Sequence, residues 1–258
     1  MGTMFLILWH AIFFDPIYNL LIFILDHVPG GDVGIAIVIL TVLIKVVLLP
    51  LSLRAAKTQH AMRTLEPELA SIKEKHKGDR EKLARETMGI YKKAGINPFA
   101  TIFLTLIQLP IIFALYFAVR LGGGVPFPHI NVALLYSFVP APETVNMVFL
   151  GIVHIMERSL PLALLAGVTQ FFHTRLSLPA LPPKEEQSTA SFKDDFARSM
   201  QVQMRYVMPA IIAFFAYTTS ATVGLYFLIS NLMAIAQEYV ARRHISQYTT
   251  RQQTERRS

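Results

Sequence analysis

Val33 to Leu53 reads VGIAIVILTVLIKVVLLPLSL, twenty-one residues interrupted by one charge. At ~1.5 Å per residue such a helix crosses a hydrocarbon core of ~30 Å. Lys45 has twelve apolar or small residues before it and eight after it. Eight helical residues cover only ~12 Å, so the ammonium does not comfortably reach the headgroups. A lysine at that depth costs a few kcal/mol and normally faces protein or water. Two readings follow: an unusual snorkelling lysine, or a lysine that lines a wet cavity inside the membrane.

The rest of the chain agrees with a membrane setting. Its 258 residues are 53% hydrophobic and only 16% charged. Several uncharged runs approach twenty residues, and they are continuous rather than alternating, which points to helices and away from a β-barrel. The formal charge of +7 is concentrated in segments that bracket the apolar runs. That pattern suits cytoplasmic loops and anionic lipid better than nucleic acid. The chain has no cysteine, which removes disulfides, thiolate metal sites, cysteine catalysis and a lipoprotein anchor from consideration.

Charge asymmetry orients the spans. Residues 54–96 hold eleven Lys/Arg against six Asp/Glu, whereas Leu121 to Glu157 contains no Lys or Arg. The first block therefore belongs inside and the second outside. The expected order is an extracytoplasmic N-terminus over 1–32, a first span over 33–53, and a cytoplasmic helical hairpin over 54–97. A second span (98–120), an extracytoplasmic loop (121–158), a third span (159–178) and a cytoplasmic loop (179–204) come next. Tyr206 to Gln237 is uncharged for 32 residues, ~48 Å as one helix, yet the tail beyond it is rich in arginine. The run is expected to fold back at Thr218-Thr219-Ser220, giving a fourth span over 205–219 and a fifth over 221–240. A basic cytoplasmic tail occupies 241–258, disordered from Ser246. Within 1–32, Asp15-Pro16 and Asn19 interrupt an apolar stretch that lacks the basic start of a signal peptide. Pro16–His27 reads as an amphipathic helix lying at the outer interface with Asp15 and Asn19 in water; a sixth span is the alternative.

Polar residues recur inside the spans. Thr41 precedes Lys45 by one helical turn, and Thr101, Thr105 and Gln108 share one face. Thr169 and Gln170 sit just before His173; Tyr226, Ser230 and Gln237 stack at helical spacing, with Asn231 beside them. Each could simply glue helices together. Taken with a deep lysine, the stripes favour a shared hydrophilic groove lined by Lys45, Thr41, Thr101, Thr105, Gln108, Gln170, Tyr226, Ser230, Asn231 and Gln237.

These residues resemble the YidC/Oxa/Alb family of membrane-protein insertases in its short five-span form, over about Phe14 to His244. The resemblance is carried by Lys45 with Pro50-Leu51, then Met62, Leu65, Pro67 and Tyr91 in the hairpin. It continues through Asn97-Pro98, Gln108-Leu109-Pro110 and Leu115-Tyr116 to Gly224-Leu225-Tyr226, Ser230-Asn231 and Gln237. No single piece is specific; the order and spacing together are. Two departures stand out. The family's usual arginine is a lysine here, which keeps the charge and loses the bidentate fork. A large extracytoplasmic domain and a lipoprotein cysteine are not present in this sequence.

The resemblance implies an all-α polytopic protein of the bacterial cytoplasmic membrane, with five helices around a groove and the C-terminus inside. It implies a non-enzymatic chaperone without cofactor or metal, whose partners are nascent membrane proteins and membrane lipids. A ribosome or targeting factor would meet the hairpin and basic tail, and a Sec translocon is a further partner. The competing classes are a small membrane transporter and an intramembrane protease. The first lacks an internal repeat. The second would need paired aspartates, a Ser-His or Ser-Lys pair, or HExxH in the spans, and His154-Ile155-Met156-Glu157 is not that motif.

Overall fold

The computed structural model describes residues 2–76, 78–95, 99–177 and 202–255. Lys77 of the expected hairpin, Asn97-Pro98 and residues 179–201 of the expected cytoplasmic loop lie outside them. The described residues are overwhelmingly helical, and the chain divides into two compact units: 1–47 with 108–235, and 48–107 with 236–258.

The first unit begins with α1 (Gly2–Trp9), a five-residue π-helix (His10–Phe14) and α2 (Asp15–His27). The π turn ends where Pro16 enters the first turn of α2, a position that needs no backbone N–H. Tyr18, Leu21, Ile22 and Leu25 are buried on one side of α2, while Leu20 and Phe23 are exposed on the other. Asn19 differs from expectation: it is 2% exposed, not in water. Its Nδ2 donates to the Asp15 carbonyl and the Leu134 carbonyl, both at 2.9 Å, and its Oδ1 accepts from Tyr136 N at 2.7 Å. A distant loop thus replaces water around the amide. The stretch Leu6–His27 is also long and apolar enough to cross a membrane.

A turn through Gly30 and Gly31, both at positive φ, leads to α3 (Val33–Val47). A side chain at Gly31 would collide with the Thr144 carbonyl, so this close approach requires glycine. Asp32 caps α3: its Oδ1 accepts from Gly34 N at 2.8 Å and Ile35 N at 3.0 Å. The helix breaks at Leu48, and α4 (Leu49–Thr64) follows. The continuous span expected over 33–53 is therefore two helices, with Pro50 in the first turn of the second, where a proline is tolerated.

The first unit continues from Gln108 in α7 (Phe99–Leu121). Pro110 lies inside α7 and cannot donate to the preceding turn. A long loop then carries a small hairpin, β1 (Val148–Phe149) with β2 (Val153–His154), paired antiparallel. α8 (Leu160–Ser177) packs closely on α9 (Met208–Thr219): a Cβ on Gly167 would lie 2.8 Å from Ala213 Cβ. Ser220 is extended, and α10 (Ala221–Glu255) starts immediately after it. α10 approaches α8 at Gly224, where a Cβ would meet Leu162 Cβ at 3.2 Å. Small residues at both crossings are what membrane helices use to pack.

Span candidates by length and hydropathy are Leu6–His27, Leu106–Gly124, Ala221–Val240, and the bent pair Val33–Val47 with Leu49–Ala56 taken as one. At 18 and 12 residues, α8 and α9 are shorter than these. The helix α10 runs on to Glu255, where the sequence suggested disorder from Ser246; nothing between Ala221 and Glu255 after Gly224 is a glycine or proline, so no breaker stops it.

In the second unit, α5 (Glu66–Lys75) and α6 (Arg80–Lys93) pack together. Pro67 stands at the start of α5 rather than inside a longer helix. His76 Nε2 lies 3.0 Å from Glu86 Oε2. Asp79 caps α6 by accepting from Lys82 N at 3.0 Å, and that hydrogen bond holds its carboxyl below the usual aspartate range.

Candidate functional site

The deep lysine has a partner. Lys45, in the last turn of α3, donates from Nζ to Gln108 Oε1 of α7 at 3.0 Å. The partnership uses only one end of the glutamine. Gln108 Nε2 is buried with no hydrogen-bond partner among the described residues. His173, on α8, lies within electrostatic reach of Lys45, and its buried Nδ1 is likewise unpartnered among the described residues. Gln108 thus meets the ammonium as an acceptor and leaves its own donor unused.

Not every polar residue on these helices is open. Thr41 is fully buried and its hydroxyl donates to the Ile37 carbonyl at 2.7 Å. That bond serves its own helix. Thr169 donates to the Leu165 carbonyl at 2.8 Å, and Gln170 Nε2 to Thr174 Oγ1 at 3.2 Å. Asn231 is a fastener: its Nδ2 reaches the Ala166 carbonyl at 3.2 Å and Thr169 Oγ1 at 3.3 Å, tying α10 to α8. Tyr226 and Ser230, five residues and one residue before it, are buried.

Thr101 and Thr105 lie on α7, but their side chains are outside the described residues. Gln237 belongs to the second unit, where its Nε2 is buried and unpartnered among the described residues. The first unit thus brings together Lys45, Gln108 and His173, and separately Asn231 with Thr169. His173 is the member the sequence reading left out. A histidine four residues beyond Thr169 was visible, but spacing along one helix does not show that Lys45, on another, lies within electrostatic reach of it.

Chemically, the cluster offers one cation and several hydrogen-bond donors, with no carboxylate among the named residues. Among the described residues no group of three or more His, Cys, Asp or Glu could hold a metal ion. Such a set can receive an anionic or strongly polar group. It does not contain a paired nucleophile and base.

Comparison with known proteins settles the lineage. Residues 24–248 match the family model described as 60Kd inner membrane protein. The chain belongs to this family. It is an all-helical, multi-pass bacterial inner-membrane protein, as the family and its apolar helices indicate. Similar proteins include a membrane protein insertase YidC from Syntrophobacter fumaroxidans, 31% identical over 216 residues, covering 82% of this chain and 34% of that protein. The membrane protein insertase YidC 1 of Halalkalibacterium halodurans is 29% identical over 236 residues, covering 90% of this chain and 78% of the relative. The membrane protein insertase YidC of Fusobacterium nucleatum is 31% identical over 229 residues, covering 86% of this chain and 95% of the relative. The chain therefore spans about a third of the Syntrophobacter protein's length and nearly all of the Fusobacterium protein's.

Proposed function

We propose that this chain is a membrane-protein insertase that takes a polar segment of a nascent membrane protein into a hydrophilic groove and releases the adjoining apolar helix into lipid. The observation that carries the reading is the Lys45–Gln108 pair with the buried, unpartnered Nε2 of Gln108 and Nδ1 of His173 beside it. Buried donors without partners are costly. Their persistence inside an apolar bundle suits a site built to be wetted or to receive a polar guest. The names of the relatives support the same class.

Lys45 would attract acidic groups of the guest, with Gln108, Gln170, Tyr226, Ser230 and Asn231 supplying hydrogen bonds. No bond is made or broken, and no cofactor takes part. With 54–97 in the cytoplasm, the basic hairpin of α5 and α6 and the basic tail would dock a ribosome or targeting factor, and a Sec translocon would be a neighbour in the membrane. The same reading places the C-terminus in the cytoplasm.

Proteoliposomes holding the purified full chain test this. A short single-span protein with an acidic translocated segment should insert above the level of empty liposomes, with no uptake of small solutes. Insertion at the empty-liposome level, or solute uptake without insertion, overturns the proposal.

A further inference from the structure

The loop after α7 carries an apolar tip that is exposed among the described residues. Between β1 and β2 the chain turns through Leu150, Gly151 and Ile152, with Val148 opposite His154 and Phe149 opposite Val153. Leu150 is 60% exposed and Ile152 is 81% exposed. Leu150 also adopts φ +52°, a region where glycine or asparagine is the usual choice. The turn therefore holds a large apolar side chain outward at a position where backbone ease alone would select another residue.

Where this tip sits follows from what pins its base. Leu150 N donates to Asp32 Oδ2 at 2.8 Å, while the other oxygen of Asp32 caps the first turn of α3. Asn146 and the α3 start exchange two backbone bonds, Asn146 N to the Gly31 carbonyl at 2.8 Å and Val33 N to the Asn146 carbonyl at 3.0 Å. Phe149 packs against Gly34, the second residue of α3. The strand leaving the tip is fixed to the other span: the Ile155 carbonyl accepts from Thr222 N at 2.9 Å, and the Glu157 carbonyl from Ala221 N at 2.6 Å. Both anchors are the first residues of apolar spans, so the hairpin base lies at the edge of the hydrocarbon.

Its reach is short. Two residues per strand extend ~7 Å, and the headgroup zone on each side of the ~30 Å core is roughly 5–8 Å thick. A hairpin this short, rooted at that level, cannot carry its tip clear of the bilayer. We propose that Leu150 and Ile152 form a lipid anchor, inserted among the glycerol and upper acyl groups of the leaflet at the N-terminal end of α3. The occupant of this apolar surface is lipid because the base is held by the first residues of two apolar helices and the hairpin is too short to leave the headgroup zone. The anchor is independent of whether the chain inserts other proteins.

The chain has no cysteine and a single tryptophan, which makes site-directed probes clean. The full chain with Ile152→Cys, spin-labelled and reconstituted in phosphatidylcholine–phosphatidylglycerol vesicles, should be more accessible to oxygen than to a water-soluble nickel chelate. Glu143→Cys, exposed on the same loop, should show the reverse. A label at 152 as accessible to nickel as the label at 143 would place the tip in water and overturn the anchor. A label shielded from both quenchers would mean protein covers it, which also overturns the proposal. Should the cysteine variant fold poorly, Ile152→Trp in a Trp9→Phe background gives the same answer through quenching by lipids brominated near the glycerol.

Discussion

At one end of the first unit Asp32, Asn19 and Tyr18 all bond across to the long loop; at the level of Lys45 two buried polar atoms have no partner among the described residues. Asp32 spends both oxygens, on Gly34, Ile35 and Leu150. Asn19 spends its carbonyl and amide on Tyr136, Leu134 and Asp15, and Tyr18 accepts from Asn131 N at 2.9 Å through its hydroxyl. Around Lys45, by contrast, Gln108 Nε2 and His173 Nδ1 have no partner among the described residues. Satisfied buried groups hold a structure together, and unsatisfied ones cost stability unless something else is bound. The difference separates a region that clasps the helices from the region proposed to receive a guest.

The sharpest way to break the comparison is to cut the clasp. Asp32→Ala removes the α3 cap and orphans Leu150 N, which should cost roughly 2–4 kcal/mol and lower the thermal midpoint of the purified chain in nanodiscs. Asp32→Asn, which keeps one acceptor, should fall between. A midpoint unchanged in Asp32→Ala would show that the clasp holds nothing. Asn19→Leu keeps the volume but strands the Leu134 carbonyl and Tyr136 N, for roughly 1–3 kcal/mol; amide exchange should rise at Tyr136 before it rises in α8.

A smaller effect is expected where a satisfied group is already in water. Asp79 caps α6 with its carboxylate pulled below the ordinary range by the Lys82 N–H. Its contribution is present above the unfolded aspartate value of ~3.9 and is lost as the pH falls through the lower folded value. Acidification into that window, or Asp79→Ala at neutral pH, should fray the first turn of α6 in exchange measurements and leave the spans untouched. Loss of span protection at the same pH would mean the hairpin is not an independent element.

The Lys45–Gln108 contact was easier to anticipate from the sequence than the clasp. A cation with twelve apolar or small residues on one side and eight on the other announces itself, and Gln108 falls on a polar stripe three and seven residues after Thr105 and Thr101. Spacing along one helix did not reveal which stripe members are used up locally. Thr41 looked equivalent to Gln108, yet its hydroxyl turns back to its own helix, as buried threonines commonly do. His173 was visible only as a residue near a helix end, because its relation to Lys45 is a matter of packing between helices. The clasp was least legible: Asn19 and Asp32 bond to residues more than a hundred positions later. Asp32 did carry a local sign, an aspartate immediately before an apolar helical run, the usual mark of an N-cap.

The central claim, that the Lys45 cluster serves a guest and not the fold, is tested most directly by measuring stability and insertion together on Lys45→Leu. A lysine deep in a span costs ~2.5–3.5 kcal/mol on insertion scales, so its removal should leave the thermal midpoint equal to or above that of the unmodified chain. Insertion of a single-span substrate with an acidic translocated segment should fall severalfold in the same proteoliposomes, and Lys45→Arg should restore it. A midpoint that drops in step with insertion, or full insertion by Lys45→Leu, would contradict the account.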